Sequence, residues 1–169
     1  MVTHELIYQY PFFNFLEPDQ LQSIAEISRE EFIDSGVIVY REKDHADWLY
    51  ILVDGCIDMF FTVDVDNLAE QRKELLFGEI SPGGMFGVSA LIEPRIHTST
   101  ARTSQVSHLI EIDAVKLLAL FEQDDQMAYG FMRQAAKAIF RRLNATVQQL
   151  ASAWKTTQES NPSTMEVIK

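Results

Sequence analysis

The sequence predicts a mainly β protein with flanking helices. The expected architecture is an antiparallel β-roll (a double-stranded β-helix, jelly-roll-like) with short N-terminal helices and a long C-terminal helix. Short β-branched and aromatic segments fill residues 28–113, with turn signals about every 8–12 residues, as expected for a roll or barrel. Apolar residues recur at helical spacing before residue 28 and again, over a longer stretch, in residues 125–154.

The chain before the roll is predicted to be a short helical entry. Leu21 and Ile24 lie at helical spacing, and Glu17 or Asp19 is the candidate start of this helix, on either side of Pro18. An aromatic run, Pro-Phe-Phe-Asn-Phe-Leu, precedes it. We therefore expect this entry to pack on a larger body.

The strands of the roll are predicted from short apolar runs and the turns between them. Residues 48–53 end at the turn signal Asp54-Gly55, and residues 57–63 are predicted to be the hairpin partner of that strand. Residues 64–73 are polar and predicted to be a loop. The remaining predicted strands and the first of two closing helices are residues 74–80, 98–102, 107–112 and 114–122.

Composition and charge limit the function classes. The 169 residues suggest one domain, and the formal net charge of −11 opposes binding to phosphate backbones. No apolar run approaches the ~18 residues that a membrane span needs, so a cytoplasmic location without membrane contact is expected. We predict a folded domain over residues 1–154 and a polar, disordered tail over residues 155–169.

Several short motifs occur in an order that is itself informative. Residues 11–16 form an apolar helix motif, and residues 41–55 form a strand pair bounded by Gly55. Residues 80–87, Ile-Ser-Pro-Gly-Gly-Met-Phe-Gly, form a turn, and an Arg-Arg-Leu motif lies at 141–143 of the long helix. Together these motifs resemble the cyclic-nucleotide-binding domain of the bacterial catabolite-activator and fumarate-nitrate-regulator family, over about residues 6–150. The resemblance implies a non-enzymatic regulatory sensor.

The resemblance also implies a phosphate cassette after this turn. In the family, backbone N–H groups approach a cyclic phosphate, a Glu binds the ribose hydroxyl and an Arg pairs with the phosphate. Here Gly87 is present, Val88 occupies the Glu position, and His97 occupies the Arg position, unless a shorter loop places Arg95 there. The cassette is therefore degenerate, and weak or altered binding of a cyclic nucleotide or another small anion is expected. The candidate ligand-binding residues are Phe86, Gly87, Val88, Ser89, Ala90, Leu91, Arg95, His97, Thr98, Ser99 and, as a lid contact from the long helix, Thr146.

The long helix carries an apolar stripe with steps of three and four residues. Its members are Met132, Ala135, Ile139, Leu143, Thr146, Leu150 and Trp154. In the family this helix is the dimer seam, so the resemblance implies a homodimer through the stripe. Packing of the stripe on the roll alone is the alternative. Arg141 and Arg142 are expected to serve the helix dipole or a salt bridge and not a ligand.

Other functions stay open at this point. The family's transcription factors carry a helix-turn-helix after the long helix, but residues 155–169 have neither its apolar periodicity nor its basic charge, so this chain is not expected to bind DNA. A haem sensor with His97 or His108 as the iron ligand is one alternative. A ligand-free module that binds a protein partner is another. A cupin-type metalloenzyme is least favoured, because the four histidines form no His-x-His pair.

Overall fold

The computed structural model describes residue 2 and residues 7–64 and 72–160. The described strands are β1 (Ser28–Ile33), β2 (Ile38–Tyr40), β3 (Trp48–Asp54), β4 (Ile57–Asp64), β5 (Arg72–Ile80), β6 (Met85–Phe86), β7 (Thr100–Thr103) and β8 (Ser107–Asp113). The described α-helices are α1 (Pro18–Glu26), α2 (Ala114–Phe121) and α3 (Asp125–Ser160). Short 3₁₀ turns cover Pro11–Phe13 and Val88–Leu91.

The strands form two antiparallel sheets of four, which confirms the predicted mainly β fold with flanking helices. One sheet has the order β1-β8-β3-β6 and the other the order β2-β7-β4-β5. Apolar side chains from both sheets meet in the interior of the roll, including Leu52, Ile57, Met59, Phe86 and Leu109. A second apolar cluster joins the outer side of the first sheet to the helices.

The predicted hairpin between the strands on either side of Asp54-Gly55 is wrong. Strand β3 pairs with β8 and β6, whereas β4 pairs with β5 and β7, so this turn carries the chain from one sheet to the other. Gly55 has φ +96°, and a Cβ there would lie 2.6 Å from the carbonyl oxygen of Val106. The turn signal was correct about the reversal of the chain, but it carries no information about the pairing partner.

Helix α3 lies across the roll with its first half and continues beyond it. Its packed face consists of Met127, Phe131, Ala135 and Ala138, and the first three of these are buried. Ala135, predicted to lie on the apolar stripe of the dimer seam, therefore belongs to the face that packs on this chain. The helix extends to Ser160, six residues beyond the predicted end near 154, while residues 161–169 of the predicted tail lie outside the described residues.

The N-terminal entry fixes the start of α3. Glu17 is the N-cap of α1, and its backbone N–H donates a hydrogen bond of 2.8 Å to Oε1 of Gln20. The ring of Phe15 meets that of Phe131 edge to face, with 5.3 Å between centroids. A Cβ on Gly130 would overlap the Phe15 ring, so glycine permits this close approach. The contact holds the first turns of α3 against the N-terminal entry.

Candidate functional site

The turn after β6 is shaped by Gly87. This residue has φ +69°, in the left-handed region, and a Cβ there would lie 2.6 Å from Cδ2 of Tyr50 and 3.0 Å from the carbonyl oxygen of Trp48. Glycine is required on both counts. The backbone then closes the 3₁₀ turn, because the N–H of Ala90 donates to the Gly87 carbonyl at 3.0 Å.

A cavity of about 320 Å³ opens between this turn and helix α3. That volume is at the lower end of the range for small-molecule sites. Among the described residues that line it, Arg142 is the one cation and Glu93 the one carboxylate. The lining residues are Tyr40, Met59, Gly87, Val88, Ser89, Ile92, Glu93, Pro94, Ile96, Thr98, Ser99, Ile139 and Arg142. We call this space the cassette pocket.

Some of the sequence-predicted residues meet at this pocket and others do not. Five of them line it: Gly87, Val88, Ser89, Thr98 and Ser99. Three others, Phe86, Ala90 and Leu91, are buried and shape the turn from behind. Thr146 is exposed on α3, one turn beyond Arg142, and is not among the lining residues.

Neither candidate for the arginine position lines the pocket. Arg95 has φ +56°, and its Nε lies 3.9 Å from Oε1 of Glu93. The Arg95 carbonyl accepts a hydrogen bond from the backbone N–H of Ala46. His97 is 3% exposed and lies behind Tyr40. Neither of the two positions that the sequence offered for an anion partner is therefore among the residues that line the cavity.

His97 is held in an aromatic stack. Its ring lies on that of Tyr40, with 3.6 Å between centroids and 5° between planes. Burial lowers the pKa of His97 to about 4, against the opposing effect of the carboxylates of Asp44 and Asp47. His97 is therefore neutral at neutral pH and supplies no positive charge to a ligand.

Tyr40 places a neutral hydroxyl at the pocket. Burial raises its pKa to about 12, while nearby Arg142 and hydrogen bonds with the Gly87 backbone and the Ser99 side chain act in the opposite direction. The Tyr40 ring also packs near Phe86 and Tyr50. One wall of the cassette pocket is therefore aromatic and uncharged.

Arg142 is the pocket-lining cation that the sequence analysis did not place at the site. It lies on α3, lines the cassette pocket and donates a hydrogen bond to the carbonyl oxygen of Met85 in β6. Burial lowers the pKa of its guanidinium, but an arginine keeps its charge in this range. A signal was present, because Phe131, Ala135, Ala138 and Arg142 follow one another at steps of four, three and four along the packed face. The arginine ends that row.

The histidine considered for haem, His108, lies elsewhere. Its ring stacks on exposed Phe32 with 4.1 Å between centroids, and its Nε2 lies 2.9 Å from Oε1 of Glu30. Within residues 2, 7–64 and 72–160, no group of three or more His, Cys, Asp or Glu side chains is placed to hold a metal ion.

A β-roll with a ligand-sized pocket between a glycine turn and a closing helix defines a regulatory ligand-binding domain. Comparison with known families agrees, because the family described as Cyclic nucleotide-binding domain matches residues 30–124. The chain belongs to the cyclic nucleotide-binding domain family.

Curated relatives include a bacterial transcriptional regulator and a bacterial potassium channel. The chain is 24% identical over 147 residues to a CRP-like cAMP-activated global transcriptional regulator of Mycobacterium tuberculosis, a match that covers 87% of this chain and 61% of the regulator. It is 28% identical over 140 residues to a cyclic nucleotide-gated potassium channel of Mesorhizobium japonicum, covering 82% of this chain and 33% of the channel. The chain thus spans less than two thirds of the length of either relative.

Solved structures share the fold. A protein from Geobacter metallireducens described as cyclic nucleotide-binding has a TM-score of 0.71 at 29% identity, covering 85% of this chain and 99% of that one. The sensor domain of the transcriptional regulator DNR from Pseudomonas aeruginosa has a TM-score of 0.63 at 20% identity, covering 83% of this chain and 91% of that one.

None of the described helices is both long enough and apolar enough to span a membrane.

Proposed function

We propose that this chain is a non-enzymatic sensor whose cassette pocket binds a small anionic effector and binds cyclic nucleotides weakly. The observation that carries the proposal is the pocket's chemistry. Val88, at the position of the family's ribose-binding Glu, is 7% exposed and lines the pocket with an apolar side chain. Arg142 is the cation that faces the same space.

The missing contacts have a calculable cost. A buried ribose hydroxyl without its acceptor costs about 1–3 kcal/mol, and loss of a bidentate arginine contact costs a similar amount. At ~1.4 kcal/mol per tenfold, the two losses weaken a cyclic nucleotide by on the order of several hundredfold. His97 does not restore the charge, because it is neutral and lies behind Tyr40. An anion that needs no ribose contact is less affected.

Arg142 also couples ligand binding to the position of helix α3. Its guanidinium binds the Met85 carbonyl and therefore joins α3 to the strand that leads into the Gly87 turn. Because Arg142 also lines the cassette pocket, an anion bound there would meet the same guanidinium. Ligand binding and the position of α3 are thereby linked through one side chain.

In this proposal the exposed stripe of α3 is the output surface. A second copy of the chain binds there and forms a homodimer. Beyond the packed face the helix exposes a row of large apolar residues, namely Met132, Ile139, Leu143, Val147, Leu150 and Trp154. A row of this length on a chain of 169 residues favours coverage by a second copy. The same proposal places the chain in the cytoplasm and includes a further protein partner. It does not include DNA binding by this chain.

The test is a ligand panel measured by thermal shift and then by calorimetry. It contains cAMP, cGMP, a cyclic dinucleotide and a set of small organic acids. The expected result is weak binding of cAMP and tighter binding of at least one anion without a ribose, with Arg142→Gln losing the latter. Tight cAMP binding would contradict the degenerate cassette. No binding by any member would leave a ligand-free dimerisation module, which the exposed stripe of α3 would then support.

A further inference from the structure

A second groove lies on the other flank of α3. It has a volume of about 300 Å³ and runs between the helix and the turn Ser81–Gly84 that joins β5 to β6. From the helix, Gln134, Lys137, Arg141 and Arg142 line it. Arg142 also lines the cassette pocket, so that side chain separates the two cavities.

The groove concentrates positive charge on an acidic chain. Lys137 and Arg141 are four residues apart and therefore lie on the same side of α3, one turn from each other. Within the described part of the chain, no carboxylate oxygen lies within 4.0 Å of a side-chain nitrogen of either residue, so neither forms an ion pair. Arg29, Arg102 and Lys116, by contrast, each form one. The groove also contains one carboxylate, that of Glu79.

The apolar stripe leaves this groove accessible. At about 100° of rotation per residue, Lys137 and Arg141 lie about 120–160° around the helix axis from Leu143, which is on the exposed stripe. A second copy that covers the stripe would therefore not cover these cations. The groove and the proposed dimer surface can be occupied together.

We propose that this groove is a binding site for a small anion with two or more negative charges, such as a polyphosphate or a polycarboxylate. Two unpaired cations one turn apart, with the Gln134 amide beside them, suit two charged groups of one ligand through charge-assisted hydrogen bonds. The volume suits a small molecule. The net charge of −11 makes a nucleic acid a poor occupant. Arg142 lines both cavities, but the two cations on which this site rests, Lys137 and Arg141, do not line the cassette pocket.

The test uses the full chain, with inorganic pyrophosphate and citrate as separate probes and acetate as the singly charged comparison. Calorimetry should show saturable binding of at least one of the two polyvalent probes. In Lys137→Gln/Arg141→Gln that binding should weaken by at least about tenfold. Arg133→Gln, which removes an exposed cation of the same helix outside the groove, should change it by less than about twofold.

Amide chemical-shift changes locate the probe. They are expected at residues 81–85 and 134–142, and changes confined to residues 87–99 would overturn the proposal by placing the anion in the cassette pocket. Absence of saturable binding, or an equal loss in Arg133→Gln, would also overturn it. Circular dichroism checks that each variant is folded, and the single variants Lys137→Gln and Arg141→Gln replace the double one if it is not. A cAMP titration of the same variants tests the cassette pocket separately, so that failure of one site is distinguishable from failure of the other.

Discussion

The ring of His97 lies parallel to that of Tyr40, with 3.6 Å between their centroids. This stack turns a position that the family resemblance assigns to a cationic ligand contact into part of the wall behind the pocket. Because the ring is buried, protonation of His97 destabilises the folded state. It does not act by changing the charge presented to a ligand. The stack therefore has a consequence for stability that can be measured without knowing the ligand.

Stability should fall as the pH falls from about 6.5 to about 4, partly because of His97. Burial lowers the pKa of His97 from 6.5 to about 4 in the folded protein, so the unfolded chain binds the proton first between these values. The contribution is fully present above pH 6.5 and amounts to about 3 kcal/mol. Urea unfolding at a series of pH values should show a shallower dependence in His97→Gln than in wild type.

The control for that series is His45→Gln, since the side chain of His45 is about half exposed. The burial of Glu111, which raises its pKa, is common to all three proteins and cancels in the comparison. If both variants show the same pH dependence, His97 is not the group responsible.

Sequence patterns predicted the architecture well because the roll depends on short-range signals. Turns such as Asp54-Gly55 and the left-handed Gly87 are encoded locally, and the family match confirmed the family resemblance. The pairing of β3 with β8 was not encoded locally, because it joins strands more than fifty residues apart. Which side chains line the cavity was also beyond the sequence. His97 and Arg95 lie at plausible positions along the chain but do not line it, whereas Arg142 does.

Leu143→Glu should convert the proposed homodimer into a monomer. Leu143 is exposed near the middle of the apolar stripe, and a carboxylate there would be buried without a partner in the dimer, at a cost of several kcal/mol. Light scattering coupled to size-exclusion chromatography should give wild type twice the 19.3 kDa mass of one chain and the variant that mass itself. Gln148→Glu, a charge on an exposed position away from the stripe, is the matched control and should remain dimeric. A wild type that is monomeric at all concentrations would contradict the proposal.

Arg142→Gln should weaken the effector identified in the ligand panel by about 10- to 100-fold, the range for a charge-assisted hydrogen bond. The same change removes the bond to the Met85 carbonyl, so a lower unfolding temperature is expected as well. Arg142→Lys keeps the charge but not the planar donor geometry. Its affinity for the effector should therefore lie between those of wild type and Arg142→Gln. Calorimetry gives the affinities, and a thermal melt of the ligand-free proteins gives the stability effect. Unchanged affinity in Arg142→Gln would exclude this residue as the anion partner.

Val88→Glu should tighten cAMP binding by about tenfold or more, because it supplies the acceptor that the ribose hydroxyl lacks. The side chain at this position lines the cassette pocket, so a carboxylate there would face the space that a ligand occupies. Val88→Leu, which stays apolar, should bind cAMP as wild type does. The 2′-deoxy analogue of cAMP separates a specific gain from a general one, since it has no hydroxyl for the new carboxylate. If Val88→Glu raises the affinity for both nucleotides equally, the position does not contact the ribose. The same conclusion follows if the folded variant no longer binds cAMP.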